Sequence, residues 1–241
     1  MINREDQTPG ILPFKLESEI LRRISHPQIP GFVEAFSTGG IHYIVQEFNE
    51  GLPLSCLMDT GRRFCEDEVK RIISQLLFIL NDLHCPPQRE NAVVHRDLRL
   101  SNLLLKADKL FLVDFGFARF LDLSQNFSCP DPLENKYSGS SGDRLPLKRL
   151  NNLPSRKKIP GAETYRLMRT EISPRSDLFG AGVVAVALFT SWVEDETLFN
   201  RPWQEVLPLS QPFVDFLQKL LAREDGFKTA TEALEYLRYL S

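Results

Sequence analysis

Two short segments of the chain concentrate side chains that could do chemistry. One reads His95-Arg96-Asp97-Leu98-Arg99-Leu100-Ser101-Asn102, and the other is Asp114-Phe115-Gly116. A carboxylate can accept a proton, and carboxylate and amide oxygens can bind a hard cation such as Mg²⁺. Asp97, Asn102 and Asp114 are therefore the first candidates for a functional site.

The order and spacing of these residues resemble a known pattern. Asn102 follows Asp97 by five residues and Asp114 follows Asn102 by twelve, as in the catalytic loop and metal-binding triplet of eukaryotic-like (bacterial Hanks-type) serine/threonine protein kinases. The resemblance implies transfer of the ATP γ-phosphate to a protein hydroxyl, with Mg²⁺. It implies that Asp97 accepts or orients the hydroxyl proton, and that Asn102 and Asp114 hold the metal. Arg99 stands near the transferred phosphate, where a lysine is usual, and is the third catalytic candidate.

The resemblance also implies a nucleotide pocket. The backbone of Glu47 and Asn49 would face the adenine, Leu104 would lie under its ring and Gln46 would be the gatekeeper. Together with Asp114, these are the expected ATP-binding residues. Asp177 matches the aspartate that holds the catalytic-loop backbone in these kinases.

Hydrophobic periodicity predicts the elements that must position these residues. The strongest helical pattern is Glu66–His84, which begins with three acidic residues. Further helices are predicted over Phe14–Ile24, Asp177–Trp192, Gln211–Ala222 and Thr229–Leu240, and strands over Gly31–Phe36, Ile41–Phe48, Leu103–Lys106 and Leu110–Val113. The expected fold is therefore α+β and protein kinase-like, with a complete helical C-lobe.

The resemblance divides the chain into residues 1–48, an N-lobe reduced to helix C and about two antiparallel strands, and residues 49–241, the C-lobe with a long activation segment, 114–169. Glu17 matches the helix-C glutamate, yet the sixteen residues before it hold one glycine. A glycine-rich strand pair and a lysine-bearing strand need on the order of twenty or more residues. Lys15 lies two positions from Glu17 and so points to another helix face. We therefore expect the glycine-rich loop and its lysine to be missing.

A second departure involves two positions. The glutamate that closes the activation segment aligns with Arg169, and the arginine that normally binds it aligns with Gly226. Losing one partner of a buried ion pair costs roughly 3–5 kcal/mol, whereas losing both can be nearly neutral. We therefore expect a different contact to hold this end of the segment.

The activation segment itself suggests regulation. Arg96 is the usual counter-ion of a phosphate on this segment, and the segment carries five candidate acceptors, Ser138, Ser140, Ser141, Ser155 and Thr164. Its basic cluster, 144–158, could bind an acidic substrate or partner protein, or nucleic acid, although a solvated face is the simpler interpretation.

Composition excludes several other classes. A net charge of −3 gives no basic footprint for nucleic acid, and the longest apolar stretch, Leu178–Phe189, is too short to cross a membrane. Four scattered cysteines form neither a zinc motif nor a disulfide frame and fit a cytoplasmic protein.

Two functions stay open. The intact Asp97, Asn102 and Asp114 favour an active protein serine/threonine kinase. The missing lid and lysine favour a pseudokinase that acts as a binding or regulatory module. A start upstream of Met1, or a lid supplied by another polypeptide, would restore the first function.

Overall fold

The computed structural model describes residues 11–121, 169, 171–222 and 225–240. Its helices are α1 (Ile11–Arg23), α2 (Leu54–Asp59), α3 (Glu66–His84), α4 (Pro174–Leu188), α5 (Trp203–Val206), α6 (Gln211–Leu221) and α7 (Ala230–Arg238). Its strands are β1 (Phe32–Thr38), β2 (Ile41–Gln46), β3 (Leu52–Pro53), β4 (Val93–Val94), β5 (Leu103–Lys106), β6 (Lys109–Leu112) and β7 (Arg119–Phe120). The predicted α+β class is confirmed, with few strands in the first part of the chain and helices in the last.

Helix α3 is the centre of the core. Its N-terminus is closed by reciprocal contacts, in which the Glu68 carboxylate accepts from the Cys65 amide at 2.9 Å and the Cys65 side chain accepts from the Glu68 amide. Most of its apolar side chains are buried, and it packs against α4, α7 and β6. Full burial of one leucine or isoleucine side chain contributes roughly 1.5–3 kcal/mol to stability. The many buried side chains of this helix therefore make it a large contributor to the stability of the fold.

Two short antiparallel sheets position the loops that carry the candidate site. β5 pairs with β6 and with β3, and β4 pairs with β7. The loop from β4 to β5 contains residues 95–102, and the loop from β6 to β7 contains Asp114. Both loops therefore connect the same two small sheets.

The first hairpin forms as predicted, with shifted ends. Gly39 and Gly40 have φ of +58° and +77°, the backbone of a tight type I′ turn that glycine adopts without strain. Helix α1 packs beside the hairpin with Ile20 and Leu21 buried.

Other boundaries differ for identifiable reasons. Helix α4 starts at Pro174, three residues before the predicted Asp177, because proline suits the first helical turn. It ends at Leu188, and Thr190–Trp192 forms a separate 3₁₀ turn. Helix α2 was not predicted, since six residues give too short a pattern.

Several expectations fall outside the described residues. They concern residues 122–168, with the acceptor hydroxyls and basic cluster, and residues 1–10. Among the helices that are described, none has the length and apolar character needed to cross a bilayer.

Candidate active site

Asp177 holds the start of the 95–102 loop through hydrogen bonds to its backbone. Its side chain is fully buried, and its two oxygens accept from the His95 amide at 2.8 Å and the Arg96 amide at 2.7 Å. His84 Nε2 also lies 2.8 Å from the carboxylate. Burial alone would raise the pKa of Asp177, but the His84 contact and the backbone amide hold it below its ordinary value. These bonds hold Arg96 at φ +65° and fix the start of the loop.

Asn102 joins the two candidate segments. Its Nδ2 donates to the Asp97 backbone carbonyl at 3.1 Å and makes a longer contact of 3.4 Å with Asp97 Oδ2. The backbone carbonyl of Asn102 accepts from the amide of Val113, the residue before Asp114, at 3.0 Å. One asparagine therefore fixes both acidic segments relative to each other.

Asp114 is presented to solvent by a buried neighbour. Phe115 is 1% exposed and packs edge-on against the His95 ring, with centroids 4.9 Å apart. Asp114 has φ +68°, which turns its exposed carboxylate the other way, and its Oδ1 accepts from the Gly116 amide at 3.3 Å. The apolar ring thus anchors the turn that exposes the acid.

Two arginines converge on Asp97. Arg99 Nη2 donates to Asp97 Oδ1 at 2.6 Å, and Arg169 Nη2 donates to the same oxygen at 2.7 Å. Arg99 was a candidate from the sequence, whereas Arg169 appeared there only at the position of a lost glutamate. It lies 72 residues from Asp97 in the chain, and no local pattern could have connected the two.

The expected adenine-facing residues lie at the end of β2. The Glu47 amide donates to the Gly31 carbonyl at 2.9 Å, which continues the backbone pairing of the hairpin one residue beyond β2. Asn49 Oδ1 accepts from the Gly51 amide at 2.8 Å. A Cβ built on Gly51 would lie 3.0 Å from Leu104 Cβ, which places Leu104 directly beside this turn. The gatekeeper candidate Gln46 donates instead to the Pro30 carbonyl at 3.0 Å.

Glu17 reaches the same region from α1. Its carboxylate lies 3.6 Å from a Cβ built on Gly116, a position that is 3.4 Å from Asp114 Oδ1. Partial burial, and then the charge of Asp114, raise the pKa of Glu17. Glu17 therefore lies close to the Asp-Phe-Gly triplet.

The donors near Asp97 fit a magnesium ion that is shared with phosphate. Asn102 turns its Nδ2 to Asp97, and within the described ranges its Oδ1 accepts from the Ser101 hydroxyl alone, at 3.1 Å. Asp114 adds an exposed carboxylate. Within the described ranges no three His, Cys, Asp or Glu side chains are grouped as a metal cage. Mg²⁺ in phosphate-binding sites commonly takes only one or two protein oxygens, with phosphates and water for the rest.

Comparison with known proteins identifies the class. Residues 3–142, more than half of the chain, match the protein kinase domain. The chain belongs to the protein kinase domain family, as its catalytic-loop and Asp-Phe-Gly motifs predicted. Members of this family generally use ATP and Mg²⁺ and act on proteins.

Both bacterial and eukaryotic kinases are among the individual relatives. The chain is 26% identical to the probable serine/threonine-protein kinase YbdM of Bacillus subtilis (strain 168), over 93% of this chain and 70% of that protein. It is 27% identical to serine/threonine-protein kinase B of Synechocystis, over 93% of this chain but only 37% of that protein. A calcium/calmodulin-dependent protein kinase of Metarhizium anisopliae is 30% identical, over 92% of this chain and 55% of that protein.

Proposed function

We propose that the chain is a protein serine/threonine kinase that transfers the γ-phosphate of ATP to a protein hydroxyl. The observation that carries this proposal is the hydrogen-bond path from Asp97 through Asn102 to Val113, which brings Asp97 and Asp114 to one place. Phosphoryl transfer depends mainly on alignment and on neutralised charge, so such a fixed arrangement is what the reaction needs.

Asp97 would position the attacking hydroxyl. Its Oδ1 is taken by Arg99 and Arg169, whereas Oδ2 has, among the described residues, the 3.4 Å contact with Asn102. The substrate hydroxyl would therefore donate to Oδ2. Transfer moves the phosphoryl group from the ATP β,γ-bridging oxygen to the hydroxyl oxygen, and the hydroxyl proton passes to Asp97.

Asn102, Asp114 and Arg99 would manage the phosphate charge. The Asn102 Oδ1 atom and the Asp114 carboxylate would hold Mg²⁺, which neutralises charge on the transferring phosphate. Arg99 can exchange its bond with Asp97 for the phosphate, because its planar group has several donors. Glu47 and Asn49 would bind the adenine through their backbone above Leu104.

The names of the relatives favour this proposal over the binding-module alternative, since all those compared above are named as kinases. The lobe division at residues 48 and 49, a cytoplasmic location and an acidic partner of the basic cluster stay predictions.

The test is phosphate transfer from labelled ATP to a serine/threonine peptide mixture, alongside binding of ATP with and without Mg²⁺. Asp97→Asn should lower the transfer rate at least about 100-fold while leaving Mg²⁺-dependent ATP binding in place. Asp114→Asn should reduce both. Asp108→Asn is the matched control, because Asp108 lies exposed in the β5–β6 turn. ATP binding that is independent of Mg²⁺, or transfer unchanged by Asp97→Asn, would refute the proposal.

A further inference from the structure

Four arginines of the described residues lie in the area of Asp97. Arg99 and Arg169 both bind its carboxylate, and the charges of Arg119 and Arg169 both act on the neighbouring Arg96. The second acid in this area, Asp177, already accepts from two backbone amides and faces His84. Among the residues that the structure describes, four guanidinium groups therefore outnumber these two carboxylates.

The Arg169 side chain is held in a defined position. Its guanidinium lies 3.3 Å from the centre of the Phe117 ring, and its backbone carbonyl accepts from Arg96 Nη2. With its Nη2 on Asp97, the group is fixed at both ends. A planar guanidinium held in this way loses little freedom when it binds an anion.

Two buried donors of this cluster lack a hydrogen-bond acceptor in the described part of the chain. Arg96 is only 8% exposed, and its buried Nε has no partner among the described residues. The same holds for the Nε of Arg169. Burial and the charges of Arg119 and Arg169 hold the pKa of Arg96 below its ordinary value, against the pull of Asp177. Buried, charged donors of this kind favour the arrival of an anion.

We infer that Arg169 is a specificity-determining residue, which selects acceptor sites that carry an anionic side chain, a carboxylate or a phosphate, next to the target hydroxyl. The inference rests on the proposed kinase function. A hydroxyl on Asp97 Oδ2 lies within about 8 Å of the Arg169 guanidinium, the span of two hydrogen bonds and one carboxylate. Residues of an extended peptide are about 3.5 Å apart, so a side chain one or two positions from the acceptor passes Arg169.

The test measures binding without turnover. Each fluorescent peptide carries one serine and a test residue one or two positions before or after it. The test residue is Glu, phosphoserine, Ala or Lys. The affinity of each peptide is measured by fluorescence anisotropy in the absence of nucleotide. At the best position, the wild-type chain should bind the Glu and phosphoserine peptides about tenfold more tightly than the Ala peptide. The difference should shrink as salt is raised. If the phosphoserine peptide binds clearly more tightly than the Glu peptide, the site prefers phosphate. If the two peptides bind equally well, the site accepts either anion.

Charge variants separate recognition from simple support of the loop. Arg169→Ala should remove the preference, Arg169→Lys should keep most of it, and Arg169→Glu should make the Lys peptide the tightest. Arg71→Ala is the control, since Arg71 is exposed on α3. No preference in the wild-type chain, or a preference that survives Arg169→Glu, would overturn the inference. An equal gain in affinity for all peptides in Arg169→Ala would also overturn it, because Arg169 would then only block Asp97.

The two proposals fail separately. If no phosphate is transferred but the affinity pattern reverses with Arg169→Glu, the kinase function fails and the recognition role stands as anion binding. If transfer depends on Asp97 but peptides bind alike, only the specificity inference fails.

Discussion

The buried Asp177 carboxylate has hydrogen-bond partners for both of its oxygens, whereas on the β1–β2 hairpin apolar side chains point outward. Asp177 is 0% exposed and satisfies two consecutive amides, while Phe36, Ile41 and Tyr43 are 42%, 57% and 40% exposed. A two-stranded hairpin is marginal in water by itself. The difference indicates that the region around Asp177 determines stability, and that the hairpin depends on its contact with α1.

Helices α6 and α7 strengthen the contrast. The Phe216 ring stacks on Phe213 at 5.8 Å between centroids and on Tyr236 at 6.0 Å, with Phe227 at 5.5 Å. On the hairpin, Phe36 and Tyr43 also stack, at 5.1 Å, but in contact with solvent. Similar ring contacts therefore differ in burial, which is what decides their contribution to stability.

The largest effect is expected from Asp177→Ala. The change leaves the amides of His95 and Arg96 buried without an acceptor and deprives His84 of its partner, at a cost of roughly 5 kcal/mol in the free energy of unfolding. Denaturant unfolding followed by far-UV circular dichroism measures it. Asp177→Asn, which keeps an acceptor oxygen, should lose less. A loss below about 1 kcal/mol in the alanine variant would show that the loop does not depend on Asp177.

Phe216→Ala and Phe36→Ala form a matched pair that tests the contrast directly. Phe216 is fully buried, and its removal should lower the free energy of unfolding by about 3 kcal/mol or more. The same change at the half-exposed Phe36 should cost less than about 1 kcal/mol. Chemical denaturation of both variants under one set of conditions gives the ratio. Equal losses would mean that the hairpin is as much a part of the core as α6.

The sequence predicted the elements and residues that depend on local pattern. Helix α3 has the predicted ends because its apolar stripe and acidic first turn are continuous in the chain. The meeting of Asp97, Asn102 and Asp114 followed from motif order. These signals are local, so one chain was enough to find them.

Contacts that depend on distant parts of the chain could not be predicted. Nothing near Arg169 in the sequence points to Asp97 or Phe117. Gly226 was interpreted as a lost arginine, but a Cβ there would lie 2.4 Å from the Lys219 carbonyl, so the end of α6 leaves room for glycine alone. Both facts come from packing between elements, which periodicity does not encode.

The smallest expected effect concerns Glu68, whose carboxylate caps the N-terminus of α3 at the surface. It tests whether this contact contributes to the free energy of unfolding. The Cys65 amide, and more weakly Arg62, hold the pKa of Glu68 below its ordinary value. A carboxylate whose pKa is lower in the folded state stabilises the fold at pH values above its pKa in the unfolded chain. That contribution is lost as the pH falls through the pKa of the folded state.

Glu68→Gln keeps an acceptor for the cap but removes the charge. It should cost about 0.5 kcal/mol at pH 7, and the gap from wild type should close as the pH falls below 4.5. Urea midpoints from pH 3 to pH 7 measure this gap, and Glu34→Gln on β1 is the control because Glu34 is exposed on the hairpin. A gap that stays constant across the whole range would mean that shape, not charge, closes the helix.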